Sequence, residues 1–201
     1  MRRLLFLRHG ETALQSSIRY WGRTDVPLSE LGRSQARAAA RILEGVPVTD
    51  LVTSTMSRSL ECGRLALCER PVERHVIATL DEIDFGDWEG LTVSEIEQRD
   101  PERYRAWREA GGDFQFPGGE SRASFCERIR QAFTLLSPPS ERVFGECVLF
   151  ALHRGVIRHL LQCFLGVDGP YDMDLGALSE VRREGDRFEL IEFNRTDFLS
   201  G

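Results

Sequence analysis

Leu5-Phe6-Leu7-Arg8-His9-Gly10-Glu11-Thr12 and, far downstream, Leu149-Phe150-Ala151-Leu152-His153-Arg154-Gly155 follow one pattern. Each is a short, unbroken apolar run that ends abruptly in His and Arg. Such runs read as strands covered on both faces, the habit of a parallel sheet. In an open parallel sheet, ligands bind at the carboxyl ends of the strands, where the following helices also direct their N-termini. A His and an Arg at each of two such ends would gather positive charge and donors around one crevice. That suits an anion, phosphate above all.

Working outward, Ser29 is placed to cap a helix whose stripe is Leu31, Ala36, Ala39, Ala40 and Leu43, with Gly45 as its stop. Residues 50–53 and 72–77 read as further strands, with a helix over 57–67 between them. Thr92-x-x-Glu95 is a capping-box pattern, and Asp100-Pro101 sets an N-cap before a Pro at the first helical position. A long amphipathic helix starts at Ser121, runs through Phe125, Ile129, Phe133 and Leu136, and is ended by Pro138 and Pro139. The strand over 147–152 leads into a helix closed by Gly166. Residues 177–182 and 187–193 flank Glu184-Gly185-Asp186, a hairpin signal. Strands alternating with helices predict a three-layer α/β/α sandwich. Its central sheet is mostly parallel, with an antiparallel edge and an inserted helical lid region over about 80–120. One domain spanning 1–201 is expected.

The chain carries 32 acidic and 26 basic residues, a net charge of −6, which disfavours binding nucleic acid by bulk charge. All 26 basic residues are Arg. The lack of Lys excludes Schiff-base chemistry and a Lys-bearing P-loop. Cys62, Cys68, Cys126, Cys147 and Cys163 form no CxxC pair, so a zinc site is disfavoured and buried thiols in a reducing compartment are expected. The apolar run after Met1-Arg2-Arg3 stops at Arg8, short of the roughly 7–15 residues of a signal peptide. No stretch reaches the roughly 18 apolar residues of a membrane span. A cytoplasmic protein with no membrane partner is expected.

Leu7-Arg8-His9-Gly10-Glu11-Thr12 resembles the signature of the histidine phosphatase superfamily, in its phosphoglycerate-mutase-like branch. Further blocks resemble that family in order: Gly22 to Ser29 with Leu31-Gly32, Thr53 to Ser59, Leu80 to Gly90, and His153 to Arg158. The resemblance implies that His9 is a nucleophile that carries the phosphoryl group, and that Arg8, Arg58 and His153 hold the non-bridging oxygens. It implies that Glu82, chosen by register over Asp81, Asp84 and Asp87, is the general acid and base. It calls for no metal and no cofactor. His75 and His159 match no motif position and read as structural or surface residues.

The sequence departs from the family at Thr55, where Pro is usual, at Gln15, where Asn is usual, and at Arg154, where a small residue is usual. Gln15 and Arg154 therefore stand as candidate substrate contacts. So do Glu120, in a Gly-Gly-Glu-Ser loop seen in many members, and Arg23 and Thr24, for which a plain turn is the competing reading. Phe85-Gly86-Asp87-Trp88-Glu89-Gly90 looks like the phosphatase version of the acid loop, and the chain lacks the long insertion of the mutases. Length, the acid loop and the Gly-Gly-Glu-Ser segment together look most like those of α-ribazole and broad-specificity phosphatases. The expected substrate is a small phosphate ester. A phosphomutase and an inactive ester-binding module are the alternatives, and a homodimer is left open.

Overall fold

The computed structural model describes residues 2–110, 113–136, 144–166 and 168–200. Strands β1 (Arg2–Arg8), β2 (Asp50–Thr53), β3 (Glu73–Val76), β4 (Cys147–Leu152), β5 (Leu178–Glu184) and β6 (Arg187–Arg195) form one sheet in the order β3-β2-β4-β1-β5-β6. The first four run parallel. The antiparallel edge is the whole β5–β6 hairpin, paired to β1 through β5.

Six helices accompany them: α1 (Glu30–Ile42), α2 (Ser57–Ala66), α3 (Val93–Arg99), α4 (Pro101–Glu109), α5 (Arg122–Leu136) and α6 (Arg154–Leu165). Side chains alternate across a strand, so each apolar run feeds two cores. Leu5, Leu7, Leu149 and Ala151 pack with Ala36 and Ala39 of α1 and Cys62 and Ala66 of α2. Phe6, Val148, Phe150 and Leu152 pack on the other face with Ile129 of α5 and Ile157 and Leu160 of α6. These are the three layers that the sequence predicts. No helix among the described residues is long and apolar enough to cross a membrane.

Residues 80–120 share the second core through Leu80, Trp88, Ile96 and Phe116. Trp88 is their centre, with ring centroids of Phe114 and Phe116 at 5.5 and 5.6 Å. The capping box at Thr92 and Glu95 forms as expected. Asp100 precedes Pro101, yet its carboxylate makes no cap bond and meets Arg103 instead.

One expectation is corrected in α1. Ser29 caps it by accepting from the Gly32 N–H, but Leu31 is 59% exposed. The inward stripe is Gly32, Ala36, Ala39 and Leu43. A glycine holds the first position because a Cβ at 32 would lie 2.0 Å from the Glu11 carbonyl oxygen. Hydrophobic pattern alone cannot register a contact made by a missing side chain. Pro138 and Pro139, the expected stop for α5, lie outside the described residues.

Candidate active site

Three neighbouring strands end side by side. Arg8 of β1 is level with Leu152 of β4, and Thr53 of β2 with Ala151. The next residues, His9, His153 and Ser54, are therefore brought together at the carboxyl edge of the sheet. The His9 N–H donates to the Leu152 carbonyl at 2.9 Å, and the His9 and His153 rings are 5.2 Å apart.

The protonation of both rings follows from their partners. His9 Nδ1 lies 2.8 Å from the Gly10 carbonyl oxygen. A carbonyl only accepts, so Nδ1 carries the proton and Nε2 keeps a lone pair. His153 Nε2 lies 2.7 Å from Ser54 Oγ, which also accepts from the Met56 N–H. The Ser54 hydroxyl proton has no other acceptor among the described residues, so it goes to Nε2 and leaves Nδ1 of His153 as a donor. Burial drives both imidazoles well below the ordinary histidine value, and the charges of Arg58 and Arg8 push the same way. Both rings are neutral.

Two arginines border them, Arg58 buried and Arg8 half-buried. Arg58, fully buried at the start of α2, donates to the carbonyls of Thr24 and Gly22. Arg8 donates to the Met173 carbonyl at 2.6 Å. Burial, reinforced by Arg154, lowers its guanidinium to about 10, so it stays charged at neutral pH. The Nε atoms of both arginines and Nδ1 of His153 are buried without a partner among the described residues. Unsatisfied buried donors are uncommon in folded proteins. Three from residues around one crevice make a site suited to an anion with several acceptor oxygens.

Glu82 approaches from the segment over residues 80–120. Its Oε2 accepts from the Gly155 N–H at 3.0 Å and its Oε1 from the Ile83 N–H at 3.0 Å. A Cβ at Gly155 would stand 2.6 Å from the carboxylate oxygen, so a larger residue there would displace Glu82. The turn carrying Glu82 is gripped by Arg128 of α5. That guanidinium donates to the carbonyls of Thr79, Asp81 and Glu82 and pairs with both oxygens of Glu120. A cavity of about 570 Å³ opens beside Glu82 and Gly155, walled by Tyr20, Phe85 and Trp107.

The structure gathers His9, His153, Arg8, Arg58 and Glu82, and it brings Arg154 to the cavity wall. The other candidates stand elsewhere. Glu120 is occupied by Arg128 behind the Glu82 turn. Gln15 is exposed, with a left-handed backbone (φ 60°). Arg23 is exposed and reaches Asp84 at 3.5 Å. Thr24 contributes its backbone. The N–H groups of Gly22, Arg23 and Thr24, with that of Phe85, surround the Glu89 carboxylate, and the carbonyls of this turn hold Arg58. His75 meets Asp50 at the sheet, away from the crevice. Among the described residues no group of His, Cys, Asp and Glu is suited to a metal ion.

Ser54, Glu89 and Arg128 were not anticipated as parts of this site. Ser54 had a signal, since it follows a strand end just as His9 and His153 do. Glu89 and Arg128 had none, because a carboxylate in a loop and an arginine on an amphipathic helix read as solvated charges.

The model of the histidine phosphatase superfamily (branch 1) matches residues 4–196. A bifunctional protein of Mycobacterium tuberculosis is 34% identical over 203 residues, covering 98% of this chain. The chain spans only 55% of that relative's length. An adenosylcobalamin/alpha-ribazole phosphatase of Salmonella typhimurium is 30% identical over 161 residues, 79% of this chain and 77% of the relative. The crystal structure of the alpha-ribazole phosphatase from Shigella flexneri superposes with a TM-score of 0.85 at 28% identity, covering 96% of each chain.

Proposed function

The chain belongs to branch 1 of the histidine phosphatase superfamily, and from that premise we propose that it hydrolyses small phosphate monoesters through a phosphohistidine on His9. One observation carries the reading: His9 is held neutral, with its proton on Nδ1 and its Nε2 lone pair free, beside Arg8, Arg58 and His153. The Nε2 lone pair attacks phosphorus while the ester P–O bond breaks. Glu82 gives its proton to the departing alkoxide. A water then attacks the phosphohistidine, losing a proton to Glu82. The P–N bond breaks, inorganic phosphate leaves, and His9 is neutral again. Arg8, Arg58 and the His153 Nδ1–H stabilise the charge that spreads over the three non-bridging oxygens. Two arginines supply the positive charge, so the scheme uses no metal. The insertion over 80–120 supplies Glu82 and walls the cavity beside it.

Incubation with a radiolabelled phosphomonoester, followed by an acid quench and an alkaline quench, tests this. An acid-labile, alkali-stable label on the parent protein, absent from His9→Ala, is expected. Turnover by the His9→Ala variant would remove His9 as nucleophile.

A further inference from the structure

The wall of the cavity beside Glu82 carries more positive charge than the phosphoryl group uses. Arg122, the first residue of α5, and Arg154 and Arg158, one turn apart in α6, all line it. Arg154 and Arg158 share one carboxylate. Asp172 Oδ1 accepts from Arg154 Nε at 3.0 Å and from Arg158 Nη2. Among the described residues Arg122 meets no side-chain hydrogen-bond or ion-pair partner, although it is half-buried. Arg158 has its Nε buried and unpartnered. Its charged form is disfavoured first by burial and then by repulsion from Arg154 and Arg122. Three like charges thus crowd a partly desolvated wall, with Asp172 and Glu82 as the acids lining the same cavity. Glu82, moreover, is neutral whenever it holds the proton it is to donate.

Resting on the hydrolase reading above, we infer that Arg122, Arg154 and Arg158 form a second anion subsite, which selects phosphate esters whose leaving group bears a carboxylate. Asp172 shows what the subsite accepts. A carboxylate already bridges two of the three guanidiniums, and it is 40% exposed, so it can yield to one from the substrate. Planar guanidinium forks match a carboxylate with paired donors. The aromatic lining of the same cavity, Tyr20, Phe85 and Trp107, takes the flat or apolar body between the two anions.

The experiment compares two aryl esters of similar leaving ability, 4-(carboxymethyl)phenyl phosphate and 4-methylphenyl phosphate. The ratio of their kcat/KM values, read within each variant, cancels any general loss of activity. The parent enzyme is expected to prefer the carboxylate ester roughly tenfold. Arg122→Gln and Arg154→Gly should each bring the ratio toward one. Asp172→Asn should raise it, because the internal competitor is gone, and this opposite movement separates the subsite from simple structural damage. Equal efficiency on the two esters in the parent, or a ratio that no variant moves, overturns the subsite and leaves the hydrolase reading standing. No hydrolysis of either ester, with no phosphohistidine, overturns the hydrolase reading and the subsite with it.

Discussion

His9 keeps a nucleophilic lone pair because the Gly10 carbonyl accepts its Nδ1 proton and burial denies it a second one. A poor leaving group then needs a proton from elsewhere, and Glu82 sits where it can give one. Its importance must track the ester. Glycerol phosphate leaves as an alkoxide and needs the proton, whereas p-nitrophenolate departs without it. Glu82→Gln should therefore slow the single-turnover burst by roughly 10²–10⁴ with glycerol phosphate. With p-nitrophenyl phosphate the burst should change far less. Steady-state rates would blur the contrast, since Glu82 also activates the hydrolytic water. Equal losses in the two bursts would transfer the acid role to Asp81 or Asp84.

Glu82 is itself held by an element. Arg128 of α5 meets three carbonyls of the turn at residues 79–82 and both oxygens of Glu120. Arg128→Gln should lower kcat on glycerol phosphate by roughly 10²-fold, the scale of a misplaced catalytic group. KM and the p-nitrophenyl burst should move little. Arg128→Lys should fail to rescue, because an ammonium cannot span acceptors set out for a planar fork. An equal fall in the two bursts would mean that Arg128 acts on overall integrity alone. This helix also marks where the sequence stopped being legible. The strand runs, the capping box and the hairpin are local patterns, and all were readable. So were His9, His153 and Arg8, because a strand end fixes where such residues point. The Arg128 grip joins residues 46 to 49 positions apart, and nothing within α5 distinguishes that arginine from its solvated neighbours. Leu31 misled for the same reason: its stripe was decided by a carbonyl from another segment.

At the scale of the whole molecule, two buried neutral imidazoles make stability depend on pH. Each folded-state value lies below the unfolded one, so below about pH 6.5 the unfolded chain takes up protons that the folded chain refuses. Stability is thus fully present above that range and is lost as pH falls. Between pH 6.5 and 5.5 the pair should remove roughly 2 kcal/mol. Denaturant melts at the two pH values would measure this. His153→Gln should show about half the loss, and an unchanged loss would mean that other groups set it. The sheet order carries a different consequence, one of timing. β1, the first strand of the chain, lies between β4 and β5, and its register with β4 runs from Arg3 against Cys147 to Arg8 against Leu152. An elongating chain therefore exposes β1 well before β4 and gives it a neighbour only after residue 147 has emerged. Until then a bare apolar segment waits at the most aggregation-prone stage of synthesis. His9 meets His153 only when that wait is over, so a growing chain can bind no phosphate in this crevice until the scaffold that shields its first strand is in place.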